Sequence, residues 1–167
     1  MLRLKSEDIR RNSRLKKMKL DPNKKLSENF TLGEFIASDT AKKKGIDNTP
    51  TLADIYHMEE LCKNLLQPIR DAWGKPIKVN SGFRCYKLNR AVGGSPTSVH
   101  TRGWAVDIKP ASGSYKDFEV FVIDFLMKSD LKWDQVIRES SGNSKWLHLG
   151  YKNNVGKQRM MLFDLVV

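Results

Sequence analysis

Long apolar runs are missing from this chain: nowhere do 18 apolar residues follow one another, so no segment reads as a membrane-spanning helix. Cysteine is scarce as well. Cys62 and Cys85 are the only two, without C-x-x-C spacing or a neighbouring histidine. Neither a disulfide framework nor a cysteine-based zinc finger is indicated, and both are expected to be free thiols. The N-terminus carries no apolar h-region and does not read as a secretory signal peptide, so the chain is expected to be made in the cytoplasm. Aromatic residues make up only 9% and stand in apolar stretches rather than among the basic residues. That arrangement argues against a surface on which nucleic-acid bases stack, and nucleic acid is not an expected partner. Histidine is rarest in proportion to its chemistry, with only His57, His100 and His148.

What is present is positive charge, and it is unevenly placed. Of a formal net charge of +11, residues 1–26 hold +7, from ten Lys and Arg against Glu7, Asp8 and Asp21. The chain therefore divides into a basic N-terminal arm, 1–26, and a mildly positive body, 27–167. The arm is either solvated and disordered or docks on something anionic, such as a wall polymer or an acidic partner protein. At 167 residues the whole fits one domain with a sizeable core, expected as a monomer.

The body opens at "NFTLGEF", where Thr31 and Glu34 form a T-x-x-E capping box. After the turn-rich "GIDNTPT", Leu52, Ile55, Met58, Leu61, Leu65, Ile69 and Trp73 recur at three-and-four spacing, which predicts the main core helix over about 51–73. Gly74 and Pro76 turn the chain into a strand, Ile77–Asn80. "KLNRAVGGSPTS" is a loop, and "VHTRGWAVDI" reads as a hairpin-like pair of strands around Gly103. Residues 115–128 predict a second amphipathic helix. "WDQVIRES" and "KWLHLGYK" read as strands around the polar "SSGNS", and "RMMLFDLVV" as a closing strand. The fold class is α+β: two main helices packed on one mostly antiparallel sheet.

Two polar groups sit where apolar ones are expected. Asp107 lies between Val106 and Ile108, and His148 between Leu147 and Leu149. A buried carboxylate is costly unless a cation, a metal or several hydrogen bonds compensate it. By strand alternation Asp107 shares its face with Gly103 and Ala105, and His148 shares its face with Trp146 and Gly150. His100, His148 and Asp107 thus suit a three-ligand zinc site with one open position. Spacing alone leaves the alternative open, in which the histidines are hydrogen-bonded and Asp107 pairs with Arg84 or Arg102. His57 falls on the polar side of its helix and reads as a surface residue.

The ordered motifs "SGFRC", "LNRAVGGSPTSVHTRGWAVDI", "WDQVIRES" and "WLHLGY" resemble the zinc D-alanyl-D-alanine carboxypeptidase family, which includes phage L-alanyl-D-glutamate endolysins and shares the hedgehog/DD-peptidase-like fold. "FTLGEF", "GIDNTPT" and "LQPIRDAWGKPIKVNSGFR" resemble the subgroup of that family known as the C-terminal peptidase module, and the likeness spans about residues 29–152. The resemblance implies one zinc ion held by His100, Asp107 and His148. It implies Arg84, from S-G-[YF]-R, as the group on the substrate carboxylate or scissile carbonyl, with Ser98 beside the substrate. It further implies hydrolysis of peptidoglycan peptides by a carboxypeptidase or endopeptidase, acting at the bacterial wall as a phage lysin released at lysis or carried in a virion.

The chain departs from that pattern where the family's catalytic neighbours stand. Some members carry a glutamate three residues before the last histidine, where this chain has Lys145; others carry a histidine two before, where it has Trp146. Glu139 is then the candidate general base, if the strands around "SSGNS" bring it to the site. The same departures admit a second class of function, a zinc-stabilised binding module of this fold without hydrolysis.

Overall fold

The computed structural model describes residues 20–167; of the arm read over 1–26, residues 1–19 lie outside the described residues. Residues 20–26 pack on the body. Leu26 is fully buried in the main core. Leu26 N–H donates to Phe30 O at 2.9 Å, and Lys25 bridges Thr31.

Two short helices follow, α1 (Leu32–Ile36), entered through the Thr31/Glu34 capping box, and α2 (Asp39–Lys44). The main helical segment runs from α3 (Leu52–Leu61) through a π turn (Cys62–Leu66) into α4 (Gln67–Trp73). Its predicted extent is right, but it is not a uniform α-helix. The Gln67 amide reaches back five residues to Cys62 O, and Pro68 follows at once, a residue that has no N–H to donate and whose ring clashes with the carbonyl four residues back in a regular helix. A one-turn widening next to a proline lets the helix continue without that clash.

The sheet has five strands in the order β1-β2-β4-β3-β5. These are β1 (Ile77–Ser81), β2 (Ala105–Pro110), β3 (Gln135–Ser141), β4 (Ser144–Gly150) and β5 (Met161–Val166). Three pairings are antiparallel and only β3 with β5 is parallel. A short helix α5 (Tyr86–Ala91) lies between β1 and β2, and α6 (Tyr115–Lys128) between β2 and β3. Ser114 caps α6 by accepting from the Asp117 amide. Phe118, Val122 and Leu126, four residues apart, form the helix's buried stripe. They meet Val106, Ile108, Leu147 and Leu149 from the sheet and Met58, Leu61, Leu65 and Ile69 from the main helical segment in one core.

Two sequence expectations are corrected. The loop expected over "KLNRAVGGSPTS" begins as a helix, since Tyr86–Ala91 form α5, with Cys85 Sγ accepting the Leu88 amide at its start. The residues before Gly103 are not a strand: Val99–Arg102 form a single 3₁₀ turn. Gly103 stops it in the left-handed region at φ +73°, where a side chain is disfavoured. Only the second half of the expected hairpin, from Ala105, is extended. Among the described residues no helix is long and apolar enough to cross a membrane. Cys62 is buried and Cys85 half-buried, and both are free thiols.

Candidate metal centre

The helices cover one face of the sheet, and the functional groups gather on the other. In the β2/β4 register Asp107 stands directly opposite His148. Both point away from the core that Val106, Ile108, Leu147 and Leu149 build, as alternation along a strand requires. His100 comes from the 3₁₀ turn, and all three side chains are buried.

Their atoms form a nearly equilateral triangle. His100 Nε2 is 3.2 Å from Asp107 Oδ1 and 3.2 Å from His148 Nδ1, and His148 Nδ1 is 3.0 Å from the same Oδ1. Protons explain only part of this. His100 Nδ1 lies 2.6 Å from Gly82 O, and a carbonyl only accepts, so Nδ1 carries the hydrogen and the neutral ring turns a lone pair at Nε2 toward the triangle. Burial holds His100 below its ordinary pKa, against the pull of Asp107, so this neutral form is favoured. Burial also acts to raise Asp107, but contacts with His100 and His148 outweigh it and hold the carboxyl well below its usual range. Two imidazole nitrogens and a carboxylate oxygen therefore converge on one point. Donors around a tetrahedral zinc-sized ion at about 2.0–2.1 Å stand about 3.3 Å apart. The triangle fits such an ion, and among the described residues it is the one cluster with metal-ligand character. His57, expected as a surface residue, is half-buried: it donates Nδ1–H to Arg102 O at 2.7 Å and stacks on Trp104 at 4.0 Å.

Arg84 borders the triangle. Its Nη1 donates to Ser81 Oγ at 3.2 Å and lies 3.6 Å from Asp107 Oδ2, the carboxylate oxygen turned away from the histidines. Its Nε is buried without a hydrogen-bond partner. Burial lowers the guanidinium's pKa, with Asp107 and Glu139 acting to raise it. Glu139 sits on β3 opposite Trp146, two places along from the Ile137/His148 pair and on the same face. Burial first, then the charge of Asp107, raises its pKa, while His148 opposes. Its Oε2 accepts from the Trp146 indole N–H at 2.6 Å. Ser98 heads the turn that carries His100 and lines the cleft over the cluster. Lys145 is exposed. Gln135 lines the same cleft, whereas Asp134 is fully buried and bound by Arg159 through Nε and Nη2, each at 2.7 Å.

That cleft, about 1040 Å³, runs from the 92–99 loop across the cluster to β5, with Ile137, Phe163 and Leu165 on its apolar side. A second groove of about 770 Å³, containing Lys109 and Asn80, meets it at Asp107 and Trp146. The cluster thus lies midway along an extended channel, where a chain-like substrate can pass on both sides.

The family model described as Peptidase M15 matches residues 28–142. The chain belongs to the peptidase M15 family. No curated protein matches it. The matched segment contains Arg84, His100, Asp107 and Glu139 and ends before His148, so His148 joins the set through its strand register and its two short contacts alone. For an M15 peptidase the geometry answers the question that the buried Asp107 poses: its partners are two histidines, which with it could hold a metal ion, and an arginine on its other carboxylate oxygen. The Trp146–Glu139 bond and the Arg159–Asp134 pair escaped the sequence reading. The first was within reach, because a two-residue turn at Gly142–Asn143 pairs Ser141 with Ser144 and hence Glu139 with Trp146.

Proposed function

We propose that this M15 peptidase is a zinc-dependent hydrolase of peptide bonds in bacterial peptidoglycan stem peptides, acting at the cell wall as a phage lysin or virion-carried enzyme. The observation that carries the reading is the triangle of His100 Nε2, Asp107 Oδ1 and His148 Nδ1, three donors within 3.2 Å of one another at the middle of an open channel. These three residues would hold one zinc ion, which when bound supplies a Lewis acid and makes water a usable nucleophile near neutral pH.

The chain's own groups do the rest. Glu139, on the triangle's face of the sheet, takes the proton of the attacking water and returns it to the leaving amine. Its raised pKa suits both halves of that transfer. Arg84, its Nε unused, faces the negative charge that develops on the scissile carbonyl or holds the substrate's terminal carboxylate. Ser98 lines the channel beside the substrate. The basic arm, with +7 of the chain's net charge, adds residence on an anionic wall or docks on a virion protein, an attraction that salt weakens.

The test is mass spectrometry of purified peptidoglycan incubated with zinc-loaded protein and with a chelated control. New peptide ends that vanish on chelation are expected, and their masses name the bond. Glu139→Gln is expected to lower turnover about 10²–10⁴-fold with zinc retained. An unchanged digest from protein carrying one zinc overturns hydrolysis and leaves the zinc-stabilised binding module.

A further inference from the structure

Trp146 stands where relatives in the resemblance carry a histidine, and by itself its indole neither takes up a proton nor binds zinc. The structure gives it another task. Its Nε1–H donates to Glu139 Oε2 at 2.6 Å, across a directly opposed pair of the β3/β4 ladder. This is shorter than the usual length of a charge-assisted N–H···O⁻ bond, about 2.7–2.9 Å. An indole N–H has one donor and no acceptor, so it fixes a carboxylate without competing for its proton. Glu139 needs such a restraint. It sits four residues into β3, close to the exposed hairpin turn at Gly142–Asn143, and no other hydrogen bond to its carboxylate is present among the described residues. Trp146 is itself half-buried at the junction of the two grooves, and His148, two residues on, stands in the metal triangle. The strand that carries a metal ligand therefore also carries the group that aims the base.

We propose that Trp146 is a positioning residue: its indole N–H holds Oε2 of Glu139 and leaves Oε1 as the oxygen that takes the proton from water. The proposal rests on the peptidase reading above. It also turns an apparent defect of this chain into a working part, since Trp146 needs no basicity to orient a base that stands on the facing strand. Lys145, exposed and paired in the ladder with Ser140, has no part in it.

The experiment is a double-mutant cycle on the zinc-loaded full chain with Trp146→Phe, Glu139→Gln and the pair, read as kcat and KM on peptidoglycan. Phenylalanine keeps an aromatic surface in the cleft and removes the donor. Trp146→Phe is expected to lower kcat about tenfold with KM and zinc content unchanged, a part of what a general base supplies. Combined with Glu139→Gln it is expected to cost nothing more, because the two act as one unit. A residue that merely packed the cleft would raise KM and would cost the same factor in either background. The contact is also read without turnover, from the indole ¹H–¹⁵N resonance of Trp146. That resonance is expected to move upfield in Glu139→Ala, while those of Trp73 and Trp133, whose indole nitrogens are buried without partners, stay in place. A neutral Trp146→Phe, an additive cycle or an unmoved indole resonance each overturns the positioning role alone. An inert wild-type protein with zinc bound overturns the peptidase reading and the positioning role with it.

Discussion

Replacing Gly103 by alanine places a Cβ where the fold has no room for one, and the cost divides into two parts that can be measured separately. Gly103 has φ +73°, and an added Cβ would stand 2.5 Å from Asp54 O and 3.0 Å from Met58 Cγ. The left-handed conformation costs an L-residue about 1–2 kcal/mol. The overlap is with a backbone oxygen of α3 and a fully buried side chain, so it is relieved only by moving the turn off the helix, which at overpacked sites costs about 1–3 kcal/mol. The expected destabilisation is therefore about 2–5 kcal/mol. Gly45 provides the control. It closes α2 at φ +61°, and a Cβ there meets nothing within 4 Å, so Gly45→Ala carries the conformational part alone, about 1–2 kcal/mol.

Urea unfolding of the two variants and the parent, with zinc chelated in all three, measures both parts. The difference also has a functional reading. His100 lies three residues before Gly103 in the same turn, and its carbonyl accepts the Gly103 amide at 3.3 Å, so a displaced turn carries the ligand with it. Zinc affinity, from competition with a chromogenic chelator, is expected to fall at least tenfold in Gly103→Ala and to be unchanged in Gly45→Ala. Equal destabilisation of the two variants would refute the steric part. A destabilised Gly103→Ala with full zinc affinity would show that the turn and the ligand are not coupled.

Four further outcomes are expected. Alanine at His100, Asp107 or His148 should each remove more than the 10- to 100-fold in metal affinity, roughly, that an outer-sphere partner is worth, and metal analysis of dialysed protein checks it. Chelating zinc from the parent should lower unfolding free energy by about 4 kcal/mol if free zinc had stood at about 1,000 times its Kd, read from urea midpoints with and without chelator. Arg84→Lys should cut kcat/KM and leave zinc bound, since an ammonium cannot reproduce the guanidinium's fork between Ser81, Asp107 and the channel, and steady-state kinetics with metal analysis decides it. Arg159→Ala strips the partner from the fully buried Asp134 carboxylate. About 2–3 kcal/mol of stability should go, less than for a fully buried pair because Arg159 is itself 41% exposed, and urea midpoints measure it.

The two main helices and the strands were legible in the sequence because their patterns are local, whereas the short α2 and α5 were not. Phe118, Val122 and Leu126 announce α6, and the apolar stretches around Asp107 and His148 announce β2 and β4. The turn before Gly103 was not. "VHTR" has the alternation of a strand, and what makes it a 3₁₀ turn is distant: Gly103 lies against Asp54 O of α3, 49 positions earlier. The π turn before Pro68 was not legible either, since the three-and-four spacing of apolar residues runs through it unbroken. Asp107 was legible as an anomaly with candidate partners, but spacing alone did not choose between the histidines, Arg84 and Arg102; the β2/β4 register and the turn at Val99–Arg102 do, setting His148, His100 and Arg84 beside it.

The arrangement of the site explains why "SGFR" and His100 belong together. Gly82 runs so close to α1 that a Cβ would stand 2.6 Å from Phe35 O. That closeness anchors the segment through the Phe83 amide on the same oxygen at 2.8 Å. From there Gly82 O fixes the His100 ring through Nδ1, and the His100 carbonyl in turn accepts the Arg84 amide at 3.1 Å. His100 and the guanidinium are thus tied at both ends of one short loop, the ring to the residue before Phe83 and the backbone to the residue after it. Asp107 and His148 need no such clamp, since opposite positions on paired strands hold them at a fixed distance. Only the member of the triangle that comes from a turn has to be pinned by hydrogen bonds, and the residues that pin it also carry Arg84 to the place where, on the proposed mechanism, charge develops.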